Sequence, residues 1–149
     1  MQKLNTGKGS ATVRSTEGPR EPMWTVQWES ARIEYGGENQ ISGTMRRVSG
    51  EMYERGAVAS TFVAERAEAE KQTNRLVLLG NVVLKSQDYQ STITCEKIVW
   101  DGKKNLIRAL GNVRFKSRQY KAEVFDELLA SPRMNRIGTP DLFDEVNRD

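Results

Sequence analysis

The chain has no histidine and a single cysteine, Cys95, among its 149 residues. The first absence removes the side chain that titrates nearest neutral pH, and with it the commonest zinc and copper ligand. The second excludes an intrachain disulfide and leaves the redox compartment unread. Catalysis would have to run on carboxylates, lysine or serine, and no cluster of these recurs along the sequence. Gly36-Gly37 and Asn39 mark a turn rather than a phosphate loop, because no Gly-Lys-Ser/Thr follows. Long apolar runs are missing too: nothing approaches the ~18 residues of a membrane-spanning helix. The first residues likewise lack the apolar core of a signal peptide. An enzyme is not expected, and no cofactor or metal is.

A surplus of one charge is missing from the body of the chain. Residues 1–20 hold Lys3, Lys8, Arg14 and Arg20 against Glu17, and residues 21–149 hold 19 bases and 19 acids. The net +3 therefore sits in a Gly/Ser/Thr-rich leader, read as a disordered tail over 1–22. A nucleic-acid partner, which needs a basic face on the folded body, is excluded from the expectations.

What the chain does have is a repeat. Leu79-Gly80-Asn81-Val82 returns as Leu110-Gly111-Asn112-Val113, at an offset of 31. The same offset carries Glu65 onto Glu96, Asn74 onto Asn105, Lys85 onto Lys116, Ser86 onto Ser117 and Tyr89 onto Tyr120, for nine identities. A more divergent copy lies upstream at an offset of 34, pairing Val48 with Val82. Each close unit reads as two strands joined by a tight turn, at Gln72–Arg75 and at Asp101–Asn105. The helix-prone run Ala64–Gln72 is read as strand, because its copy Thr92–Trp100 is β-branched and aromatic.

Comparing copies also assigns the faces. In Ile107–Phe115, Arg108, Asn112 and Arg114 share one parity, while Ile107, Ala109, Val113 and Phe115 share the other with Gly111. Shifted by one repeat, the inward set becomes Leu76, Leu78, Gly80, Val82 and Leu84. The preceding strands break parity: Phe62 and Ala64 against Ala67 and Ala69, Ile93 and Cys95 against Ile98 and Trp100. One extra residue near Glu65-Arg66 and Glu96-Lys97 restores a single apolar face, which predicts a β-bulge in each. Upstream, Trp24, Val26 and Trp28 alternate as a further strand. Cys95 falls on the inward face as a small core residue. Asn81 and Asn112 are candidates either for a headgroup contact or for stabilising the local turn.

The pattern Ala64-Glu65-Arg66-Ala67, hairpin, Leu79-Gly80-Asn81-Val82, repeated as Cys95-Glu96-Lys97-Ile98 and Leu110-Gly111-Asn112-Val113, resembles the OstA-like family of periplasmic lipopolysaccharide-transport proteins. The likeness extends upstream to Ala31–Tyr35 and Val48–Tyr53 and covers residues 28–121. Cys95 stands where the family usually has alanine, and glutamate where it more often has aspartate.

The resemblance implies an all-β fold: an antiparallel β-jellyroll or sandwich built from repeats, open or V-shaped, over 23–125. It implies a non-enzymatic carrier or bridge component for lipopolysaccharide or a related glycolipid, in the periplasm or cell envelope. It leaves open whether the protein is soluble, like LptA, or anchored, like LptC. Acyl chains would lie between the sheets against Phe62, Leu76, Leu78, Val82, Leu84, Ile93, Ile98, Trp100, Ile107, Ala109, Val113 and Phe115. The bland reading of the same residues is a closed core. The implied partners are other β-jellyroll subunits, joined by edge-strand pairing, and an inner-membrane ABC transporter. The expected edge is Tyr120, Ala122 and Val124. Residues 126–149, with six acids and three bases, are expected to be partly disordered or to cover that edge. The alternative to a carrier is a ligand-free β-repeat interaction module of the envelope acting through its edges.

Overall fold

A computed structural model describes residues 2–14, 21–36, 41–70, 75–118 and 121–143. They form eleven strands: β1 (Gln2–Thr6), β2 (Gly9–Arg14), β3 (Pro22–Trp28), β4 (Ser30–Tyr35), β5 (Ile41–Glu54), β6 (Ala57–Glu70), β7 (Arg75–Ser86), β8 (Thr92–Asp101), β9 (Leu106–Lys116), β10 (Lys121–Ala130) and β11 (Ile137–Gly138). All belong to one antiparallel sheet, in the order β1-β4-β5-β6-β7-β8-β9-β10-β11, with β2 on β3 and β3 on β5. The fold is all-β, open and jellyroll-like, as expected. The helix-prone run joins β6 as far as Glu70.

A line of irregularities crosses the central strands. The register shifts between Val63 and Arg66 in β6, between Leu79 and Val82 in β7, and between Thr94 and Lys97 in β8. β3 and β4 are two stretches of one line, broken at Glu29, whose amide donates to the Arg46 carbonyl at 3.0 Å. The parity switch read from the sequence is therefore real: Phe62, Ala64, Ala67, Ile93, Cys95, Ile98 and Trp100 are all buried.

The repeat builds the same corner twice. Gly80 and Asn81 take φ of 82° and 45°, and Gly111 and Asn112 take 80° and 47°. Glycine visits this left-handed region freely, and asparagine more readily than most residues. Asn81 Nδ2 donates to Glu65 Oε1 at 2.6 Å, and Asn112 Nδ2 donates to Glu96 Oε1 at 3.1 Å. A Cβ on either glycine would run into the side chain of that glutamate. The asparagines thus stabilise the bend, the second of the two roles considered for them. The divergent unit makes the corner with Arg47 (φ 51°), whose Nε lies 3.3 Å from Glu29 Oε2.

A flat sheet cannot bury one face without a second layer, and here the second layer is the sheet itself. Trp24 of β3 and Trp100 of β8 stand four strands apart along the pairing path, yet their ring centroids are 6.4 Å apart and nearly perpendicular. Laid flat, that separation would be about 19 Å. The corners fold the sheet into two halves, whose inner faces make one apolar core from Trp24 to Met134.

Two expectations about the termini are corrected. Residues 2–14 form β1 and β2 rather than a disordered tail, paired along β4 and β3. Their backbone supplies the bonding, Ala11 and Val13 lean on the core, and the Trp28 indole donates to Thr6 Oγ1 and to the Gly7 carbonyl, each at 3.1 Å. The last long strand runs on to Ala130 instead of stopping near 125, with Leu128, Leu129 and Ala130 buried. Beyond it the chain returns as β11 against Leu129 and Ala130, so part of the expected edge cover is formed. The turn at Asp101 is capped by its own Oδ1, which accepts from the Lys103 amide at 3.0 Å. The other expected turn, at 72–75, lies mostly outside the described residues.

Candidate functional site

The twelve residues expected to touch an acyl chain all face the interior and all are buried. Leu76, Leu78, Val82, Leu84, Ile93, Ile98, Ile107 and Val113 are 0% exposed, whereas Phe115 retains 8%. At 0%, no water molecule reaches these side chains, so the space beside them is filled by protein. An acyl chain would enter only if the two halves part. Of the expected edge, Tyr120 lies outside the described residues, Ala122 pairs with Phe115, and Val124 is 55% exposed. β11 covers only the last two residues of β10, Leu129 and Ala130.

The side of the fold opposite the corners is its mouth. On one half, cross-strand pairing runs Trp24, Met52, Ser60, Ser86; on the other it runs Leu76, Trp100, Ile107, Ala130. All eight are buried. From Ala130 the chain crosses the gap within three residues, and the Ser86 hydroxyl donates to the Arg133 carbonyl at 2.7 Å. Arg133 Nε and Nη2 then hold Asp88 Oδ2 at 2.9 and 2.6 Å. Asp88 raises the pKa of the Arg133 guanidinium, and Glu54 and Tyr89 add to the field there. Met134, in a left-handed conformation (φ 59°), and Phe143 are buried, so residues 131–143 form a strap across the mouth.

Three polar hydrogens are left over inside. Among the described residues the indole Nε1 of Trp24, that of Trp100 and the hydroxyl of Ser60 are buried without a hydrogen-bond partner, as is one acceptor, Glu54 Oε2. An unpaired buried donor costs about 1–3 kcal/mol, so three close to one opening are an unusual concentration. The strap falls in the segment 126–149, which the sequence leaves as partly disordered or edge-covering; Trp24 is expected only as part of an alternating strand, and nothing in the pattern marks Ser60. The hint at Ser86 is its recurrence as Ser117 at the repeat offset, just where an apolar strand ends.

The outer face is different in kind. A groove of about 380 Å³ over β4–β7 mixes Arg32 and Arg75 with Glu34, Glu68 and Glu70. Among the described residues no three potential metal ligands come together.

Cys95 sits beside the corner of β8, 6% exposed, its Sγ 3.4 Å from the Lys97 carbonyl. Burial pushes its pKa up to about 11. The thiol thus stays neutral in the folded protein while the unfolded chain ionises near 9.0. Its share of stability is complete below that lower value and is lost as the pH rises toward the upper one. Cys95→Ala removes this share. The difference in urea midpoint between wild type and Cys95→Ala is therefore expected to shrink between about pH 8 and about pH 10.5.

No protein-family model matches this chain, and no curated protein matches it.

Proposed function

We propose that the protein is a non-enzymatic carrier or bridge component for the export of lipopolysaccharide or a related glycolipid across the cell envelope. Acyl chains are held between the two halves of the folded sheet. The observation that carries this reading is the interior itself: one continuous apolar surface, built from repeats and bounded by corners on one side and a strapped mouth on the other. Each enclosed methylene contributes about 0.8 kcal/mol, so six of them give about 5 kcal/mol with no specific bond. Such binding tolerates chains of varied length and lets cargo move between modules. The outer edges of β1 and β2, and of β10 before Leu129, are where other β-jellyroll subunits of a periplasmic bridge add as further strands. The resemblance adds an inner-membrane ABC transporter as the source of cargo.

The complete burial of the interior favours a second reading, a ligand-free envelope module acting through those same edges. Mass spectrometry of gently purified full-length protein separates the two. The carrier retains co-purifying acylated lipid; consistent recovery of lipid-free protein from envelope material supports the module instead.

A further inference from the structure

The strap shows what the mouth accepts. At Ser86 the acceptor for a buried hydroxyl is a carbonyl oxygen, supplied by Arg133 of the strap. One strand away, Ser60 is 0% exposed and shares the inward parity of Phe62, but its hydroxyl has no acceptor among the described residues. The two indole donors of Trp24 and Trp100 lie at the same end of the interior and are also unmatched. A purely apolar guest would leave all three as they are. A guest with a carbonyl next to its hydrocarbon chain would supply the missing acceptor.

The polar tie of the strap to the far half is weak, while β11 on β10 and the buried Met134 and Phe143 hold the rest of it. Its ion pair to Asp88 is open to water, with the Arg133 and Asp88 side chains 39% and 47% exposed. Ion pairs of that kind contribute weakly. Beneath it the mouth mixes two buried hydroxyls, Ser60 and Ser86, with apolar side chains such as Trp24, Met52 and Ile107. Met134 fills the opening from a backbone conformation that disfavours a side chain.

We propose that the mouth is a binding site for an ester-linked acyl chain, that the Ser60 hydroxyl donates to the ester carbonyl, and that residues 131–143 are a built-in plug displaced by that ligand. The inference rests on the carrier reading above and adds to it a headgroup-proximal contact and a gate. In the unloaded protein the plug keeps the apolar interior from water. On loading, Met134 and the Arg133 carbonyl give up their places to the acyl chain and its ester.

Two probes that differ by one carbonyl oxygen test it: 1-dodecanoylglycerol and 1-O-dodecylglycerol, titrated below their aggregation limits into the full-length protein. Wild type is expected to bind the ester about fivefold more tightly than the ether, one hydrogen bond's worth. Ser60→Ala brings the ratio to about one and leaves ether affinity unchanged, which a merely structural role for Ser60 would not do. Asp88→Asn tightens both probes by the same factor, about threefold. Adding the ester speeds hydrogen exchange at the Met134 amide, which is bonded to the Ser131 carbonyl at 2.9 Å when the strap is down. An ester preference that survives Ser60→Ala overturns the assigned hydroxyl. No effect of Asp88→Asn, with Met134 equally protected with and without ligand, overturns the plug. If neither probe binds wild type or Asp88→Asn, the carrier reading falls as well; if lipid co-purifies regardless of Ser60 and the strap, only this inference falls.

Discussion

Alanine at both Gly80 and Gly111 lowers the unfolding free energy by about 4 kcal/mol, a large share of the about 5–15 kcal/mol typical of a domain. Each site contributes twice. A Cβ in the left-handed region costs about 1–2 kcal/mol, and the same Cβ collides with Glu65 or Glu96. Moving that carboxylate aside also sacrifices its bond from Asn81 or Asn112. β8 separates the two corners, so the single effects add. Adding Glu65→Ala to Gly80→Ala removes the carboxylate contacts but keeps the close approach of the residue-65 Cβ and the φ cost, so stability returns only in part. Urea unfolding of the singles, the double and this rescue pair checks each component. Equal stability of the double variant and wild type would mean the bends do not depend on these glycines.

Trp100→Ala is expected to cost about 3–5 kcal/mol, the usual range for emptying a large buried ring site. The ring is 1% exposed and meets Trp24 edge-on from the opposite half of the sheet. Trp24→Ala costs a similar amount, and the double variant costs less than the sum by about 0.5–1.5 kcal/mol. That coupling is diagnostic of the fold. Two tryptophans four strands apart interact only if the sheet is bent back on itself, and independent effects would contradict the bend.

The repeat made most of the architecture legible. Leu76–Leu84 is apolar almost throughout and hides its facing, but Arg108, Asn112 and Arg114 in its copy reveal it. Phe62, Ala64 and Ala67 break parity in a way that only an inserted residue repairs, and the same break at Ile93, Cys95 and Ile98 located the bulges. Other parts left no mark in the pattern. β1 and β2 are mostly polar and small residues, and what holds them is backbone pairing, the contact of Ala11 and Val13 with the core, and one indole reaching back 22 and 21 residues to Thr6 and Gly7. Arg47 turns the corner where the later units use asparagine, and no propensity rule nominates an arginine for positive φ. The strap was hidden for a similar reason. Its anchors, Ser86 to Arg133 and Asp88 to Arg133, join positions 47 and 45 residues apart, and the first uses a carbonyl, which every residue has. The unpaired hydroxyl of Ser60 is visible only once the partners around it are placed.

Diazirine side chains that label whatever they touch, introduced one at a time at Leu78, Val113, Phe115 and Arg114 and irradiated in cells, put the carrier reading to its most direct test. Leu78, Val113 and Phe115 point into the folded sheet and Arg114 points out of it. Lipid adducts at the three inward positions and none at Arg114 are the expected result. Labelling of lipid to the same extent from both faces, or from neither, would contradict an interior that carries acyl chains.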